Sequence, residues 1–137
     1  MIEQLEIWDK IDMRVIWASI ASGLTWLFGG WNETLTVLIV LIVVDYISGV
    51  LSAIVNRELS ANVGYKGIVK KVMILLVVVV GIQIDGAMQA QGVVSNIVIY
   101  FFIANEGLSV LENVTEAGIP IPSKLKEVLK IYKEEKK

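Results

Sequence analysis

Four carboxylates, Asp45, Asp85, Glu106 and Glu112, stand inside stretches that are otherwise almost without charge. An acid at the centre of a helix in lipid costs roughly 2.5–3.5 kcal/mol, so it must be protonated, paired or wetted. Such a residue is a functional candidate by default. The chemistry open to these acids is narrowed by what the chain lacks. It has no His and no Cys, which removes the commonest general base, the commonest metal ligand, thiolate chemistry and disulfides. No phosphate-cradling loop or paired-acid cleft accompanies them. Gly64-Tyr65-Lys66-Gly67 is not a phosphate-binding pattern and reads as a turn leading into the next apolar stretch. The expectation is a protein with no catalytic residue, no metal, no cofactor and no nucleic-acid partner. Its intramembrane polar groups organise helix association or line water.

Spacing sorts these groups onto faces. Asp45, Gly49, Ser52 and Asn56 recur at i, i+4, i+7 and i+11 and form one polar, small-residue stripe on a helix. Gly49 with Ala53, and Ser48 with Ser52, are small-xxx-small pairs that let helices approach closely in lipid. Asp85 lies four residues from Gly81 and near the outer end of its stretch, where interfacial water satisfies it as readily as a partner helix. Asn105, Ser109 and Glu112 share one face, while Glu106, Ser109 and Asn113 share the adjoining one. Lys70 and Lys71 open the preceding stretch on the same side and are placed to pair with Glu106 or Glu112. The residues expected to face a partner helix or a lumen are therefore Asp45, Gly49, Ser52, Asn56, Asp85, Asn105, Glu106 and Ser109. The bland alternative is polar packing within one subunit.

The elements that must position these residues follow from length and hydropathy. A chain of 137 residues that is 55% apolar is too small to bury so much apolar surface in water, and it reads as a single membrane domain over 1–137. Four apolar stretches can be drawn, at 15–31, 34–55, 72–90 and 92–114. The first is the shortest and is interrupted by Ser, Thr and Gly. The Val and Ile runs would favour strands in water, but in lipid the backbone must satisfy itself, so helix prevails. The fold class expected is all-α, an integral membrane protein with four transmembrane helices and amphipathic helices at both termini.

The Lys and Arg positions orient these spans. Lys10 and Arg14 precede the first stretch, Arg57, Lys66, Lys70 and Lys71 lie between the second and third, and six Lys follow Pro122. The other two links hold none. With four spans all twelve fall on one face, which the positive-inside rule makes cytoplasmic, with both termini inside. The segment 1–14 places Ile2, Leu5 and Trp8 at helical spacing beside acids. Gly118, Pro120 and Pro122 must break the last span, and Ser123 is a natural N-cap for a basic helix over 123–137. In it Leu125, Val128, Leu129 and Tyr132 share a face that suits anionic lipid or a partner subunit.

From Trp26 to about Leu129 the chain resembles the toxin-secretion and phage-lysis holins, the group that includes the clostridial toxin-release holins. The carrying segments are Trp26-Leu27-Phe28-Gly29-Gly30-Trp31, Asp45-Tyr46-Ile47-Ser48-Gly49 with Leu51-Ser52-Ala53-Ile54, then Leu59-Ser60, Gly64, Gly67, Lys70 and Lys71. Ala104-Asn105-Glu106-Gly107-Leu108-Ser109-Val110-Leu111-Glu112-Asn113 follows, then Gly118, Pro120, Pro122 and Leu125-Lys126. Each is weak alone, and together, in order, they are specific. The resemblance implies a protein of the bacterial cytoplasmic membrane that self-associates and opens lesions. Through these an endolysin or a toxin leaves as cargo without stable binding. An antiholin that shares the sequence and sets lysis timing is the nearest alternative and a possible partner. A small ion channel or transporter subunit and a structural scaffold are more distant alternatives.

Overall fold

The computed structural model describes residues 1–3 and 12–136. The expected amphipathic helix at 1–14 lies mostly outside the described residues. Among these the chain forms five helices and no strand, and it divides into two units, Met1–Trp31 and Asn32–Lys137.

The first unit holds α1, Met13–Leu27. The Asp12 carboxylate caps it by accepting from the Arg14 backbone N–H at 3.1 Å. At its far end Gly29 and Gly30 adopt positive φ and stop the helix. Met13, Ile16, Trp17, Ile20, Leu24 and Leu27 fall on one face, and Arg14, Ala18, Ser22 and Thr25 on the opposite one. The expected first span at 15–31 is therefore corrected. Fifteen helical residues reach about 22 Å, short of a hydrocarbon core of about 30 Å. Among the described residues three helices, not four, are long and apolar enough to cross a membrane.

Those three lie in the second unit, together with a shorter helix at its end. The Asn32 side chain caps α2, Glu33–Val55, by accepting from the Leu35 N–H at 2.8 Å. Ser60 caps α3, Ala61–Met88, in the same way through the Val63 N–H at 3.2 Å. A four-residue link leads to α4, Val93–Glu116. Gly118, at φ +91°, turns the chain out of α4, and α5 runs from Ser123 to Glu135. Pro122 takes the cap position that Ser123 was expected to fill, so Ser123 becomes the first helical residue.

The third apolar stretch begins as a helix at Ala61, not at residue 72. Gly64 and Gly67 therefore lie within α3 and do not form the expected turn. Their use is steric. A Cβ at Gly64 would stand 3.4 Å from the Tyr46 hydroxyl oxygen, and one at Gly67 would stand 3.3 Å from its ring. The two glycines thus make the bed for an aromatic ring from α2. Gly81 does the same for α4, since a Cβ there would meet the Ser95 Cα at 3.4 Å. Around the intramembrane charges the packing turns polar groups inward and leaves apolar ones outside, as lipid permits. Glu106 is 2% exposed while Phe101, five residues earlier on the same helix, is 64% exposed. Helix α4 packs along both α2 and α3, which touch each other only sparingly.

Candidate functional site: a charged cluster and its cavity

Asp45, Lys71 and Glu106 each lie ten residues from the helix end nearest the basic links, Val55, Ala61 and Glu116 respectively. At 1.5 Å per residue that sets all three about 15 Å along their helices, in one layer. The Lys71 ammonium donates to both acids, to Asp45 Oδ2 and to Glu106 Oε2, the latter at 2.5 Å. From α4, Asn113 Nδ2 donates to Asp45 Oδ1 at 2.8 Å, to the Asp45 carbonyl at 3.1 Å and to Ser48 Oγ at 2.9 Å. Ser48 Oγ in turn donates to the Asp45 carbonyl at 3.0 Å. Among the described residues no buried side-chain nitrogen or oxygen is left without a partner. One ammonium faces two carboxylates, and an amide dipole supplies the remaining donors. In a low-dielectric interior this arrangement holds only while every member is present.

Beside the cluster a cavity of 530 Å³ opens between α2, α3, α4 and α5. It reaches from the cluster to the end of the bundle that carries Glu58 and Glu116. Six of the eight residues expected to face a helix or lumen line it: Asp45, Gly49, Ser52, Asn105, Glu106 and Ser109. Asn56 ties down the neighbouring end of α2, its Nδ2 donating to the Glu116 carbonyl at 3.1 Å. The stripe on α2 thus packs against α4 of its own chain. A Cβ at Gly49 would stand 3.4 Å from Asn113 Nδ2, so the small residue lets that amide reach Asp45.

Asp85 stands apart from this group. It lies near the far end of the bundle, and its two oxygens accept from the backbone N–H groups of Val94 and Ser95, each at 2.8 Å. A carboxylate there caps α4 and complements the positive end of its dipole. The intervening link is tight, with Gln89, Gln91 and Gly92 all at positive φ. Asp85 therefore acts as a clamp between α3 and α4 within the chain.

Spacing alone left out three members of the site. Lys71 was visible only as a neighbour of Glu106, and its bond to Asp45 joins residues 26 positions apart. Asn113 follows Glu106 by seven residues on one face, which was a usable signal. Tyr132 was legible only as part of the tail helix's apolar face, which suited lipid or a partner subunit and gave no sign of Asn105. Its hydroxyl donates to Asn105 Oδ1 at 3.0 Å. Lys136 Nζ sits 4.8 Å from the Tyr132 ring centre and 3.8 Å from Glu112 Oε2. Burial works against the charged Lys136, but hydrogen bonding and attraction from Tyr132, with the charges of Glu112 and Asp45, outweigh it. Its pKa is held above the ordinary lysine value.

With this geometry in place, comparison with known proteins is informative. The model of the bacteriophage holin family matches residues 22–134, which include every member of the cluster and all but the last residue of the tail helix. The 14.9 kDa protein of the nagH 3′ region in Clostridium perfringens is 39% identical over 125 residues, covering 89% of this chain and 95% of that protein. A Listeria monocytogenes protein is 40% identical over 107 residues, 78% of this chain and 76% of its own length. A protein of Bacillus phage phi105, named a probable holin, is 35% identical over 113 residues, 82% and 83% of the two chains. No solved structure matches the chain.

Proposed function

The chain belongs to the bacteriophage holin family and is a multi-pass, all-helical membrane protein, and from that premise we propose how it acts. It accumulates in the bacterial cytoplasmic membrane as closed single chains. It then associates with further copies and opens lesions through which an endolysin, or a toxin, leaves the cytoplasm. The observation that carries this reading is the Asp45–Lys71–Glu106 cluster, a mutually satisfied set of charges deep in an apolar bundle. Sheltered against α4, it lets a polar sequence reside in lipid as a single chain. Turned outward among several copies, the same residues supply a wettable wall. No catalytic step is involved.

The face that carries Arg57, Lys66, Lys70 and the Lys-rich tail is cytoplasmic in this reading, because positive residues stay inside. With three spans the C-terminus is inside, and the both-ends-inside arrangement no longer follows from the charge count. Single Cys residues at Asn32→Cys and Gln89→Cys then both label from outside the cell.

Expression of the chain alone and together with an endolysin tests the function. The expected result is collapse of membrane potential in both cultures and lysis only with the endolysin. Sustained potential and growth would mark an antiholin. Loss of potential without endolysin release would mark a selective channel.

A further inference from the structure

Helix α5 is joined to the bundle by more than its connection. Leu129 is 4% exposed on a helix whose other apolar residues, Leu125, Val128 and Ile131, remain in the open. Tyr132 donates to Asn105, the residue beside Glu106, and Tyr132 and Lys136 both line the cavity that holds the charged cluster. The approach is fixed by Gly118 at φ +91° and by Pro120 and Pro122, whose rings restrict the connecting backbone. The cavity lining also carries Glu58 and Glu116, and the tail brings Lys136 Nζ to 3.8 Å from Glu112 Oε2.

We propose that α5 is an intrachain lid, seated by Leu129 and latched by Tyr132 to Asn105, whose docking partly covers the cavity and slows access of water to its charged cluster until the chain assembles. This deepens the holin reading and rests on it for timing, while the covering itself is a property of the single chain. Release of the lid requires breaking one neutral hydrogen bond and one long, half-exposed ion pair, Lys136–Glu112, and withdrawing one apolar side chain, a small barrier that suits a device meant to open.

The test uses the full chain in membranes, with Ser109→Cys as a reporter inside the cavity, since the native sequence has no Cys. A membrane-impermeant thiol reagent is applied from the face bearing the tail. Tyr132→Phe removes only the latch hydroxyl, so folding is preserved. It should raise the labelling rate about fivefold, the factor that corresponds to one hydrogen bond, and advance the loss of membrane potential. Leu129→Asn should do both more strongly, whereas the exposed Lys133→Ala should do neither. Unchanged labelling in Tyr132→Phe and Leu129→Asn would overturn the lid. Faster labelling with unchanged onset would overturn its role in timing. A native chain that never dissipates the potential would sink the holin reading instead, and the labelling arm would still decide the lid.

Discussion

The same three helices build two unlike halves of the bundle. Away from the basic links the buried side chains Leu35, Leu38, Ile42, Val78 and Ile99 are apolar, and the buried polar groups there, Asp85 and Ser95, are bonded to each other where Asp85 clamps the helix ends. Toward the basic links, Asp45, Lys71, Glu106 and Asn113 meet beside an open cavity. In the first half the helices are held by many small dispersion contacts, and each is replaceable. In the second they are held by a few directional bonds that depend on one another. A bundle built in this way is firm at one end and conditionally closed at the other. That asymmetry suits the proposed function, in which a single chain rests in lipid and later reorganises.

The largest effect should come from removing the shared cation. Lys71→Met strands two carboxylates and should destabilise the bundle by roughly 3–4 kcal/mol, the lower part of the range for a broken buried pair, because Lys71 keeps 17% of its side chain exposed. Unfolding in detergent measures it. Adding Asp45→Asn and Glu106→Gln should recover much of the loss, and failure of that rescue would mean the cluster is not a unit. Leu38→Ala in the dry half should cost less, roughly 2–3 kcal/mol by the same measurement. Lipid withholds the water-transfer part of the usual penalty and leaves mainly the packing part. Its cost should add to that of Asp85→Ala, which loses a helix cap worth about 1 kcal/mol. Gln89→Gly should be the smallest change and stabilising, by roughly 0.5–1 kcal/mol. It relieves a left-handed residue at the end of α3.

Local spacing made the polar half partly legible. The stripe Asp45, Gly49, Ser52 and Asn56, and the face of Glu106 and Ser109, follow from helical periodicity alone, and six of the eight residues so chosen line one cavity. The partner was harder to see. Lys71 reaches Asp45 and Glu106 because three helices align in register, and that alignment is a tertiary fact absent from any short window. The first apolar stretch misled for a physical reason. Its composition suits lipid, but Asp12 and Gly29 fix the helix at fifteen residues, too few to cross. Gly64 and Gly67 carried a turn signal that was overridden, because the Tyr46 ring needs two residues without side chains within α3. Asp85 looked like an interfacial acid, and only the return of the chain at Val94 and Ser95 gives it backbone donors to cap.

The contrast between the two halves is open to one direct measurement. Single Cys residues are placed at Ser109→Cys and Ser52→Cys in the cavity lining, and at Leu38→Cys and Val78→Cys in the dry half. Each variant is exposed to a water-soluble thiol reagent from the face bearing Arg57 and the Lys-rich tail, before any loss of potential. The account predicts labelling at the first pair and none at the second. Equal labelling at Leu38→Cys and Val78→Cys, or none at Ser109→Cys and Ser52→Cys, would contradict it.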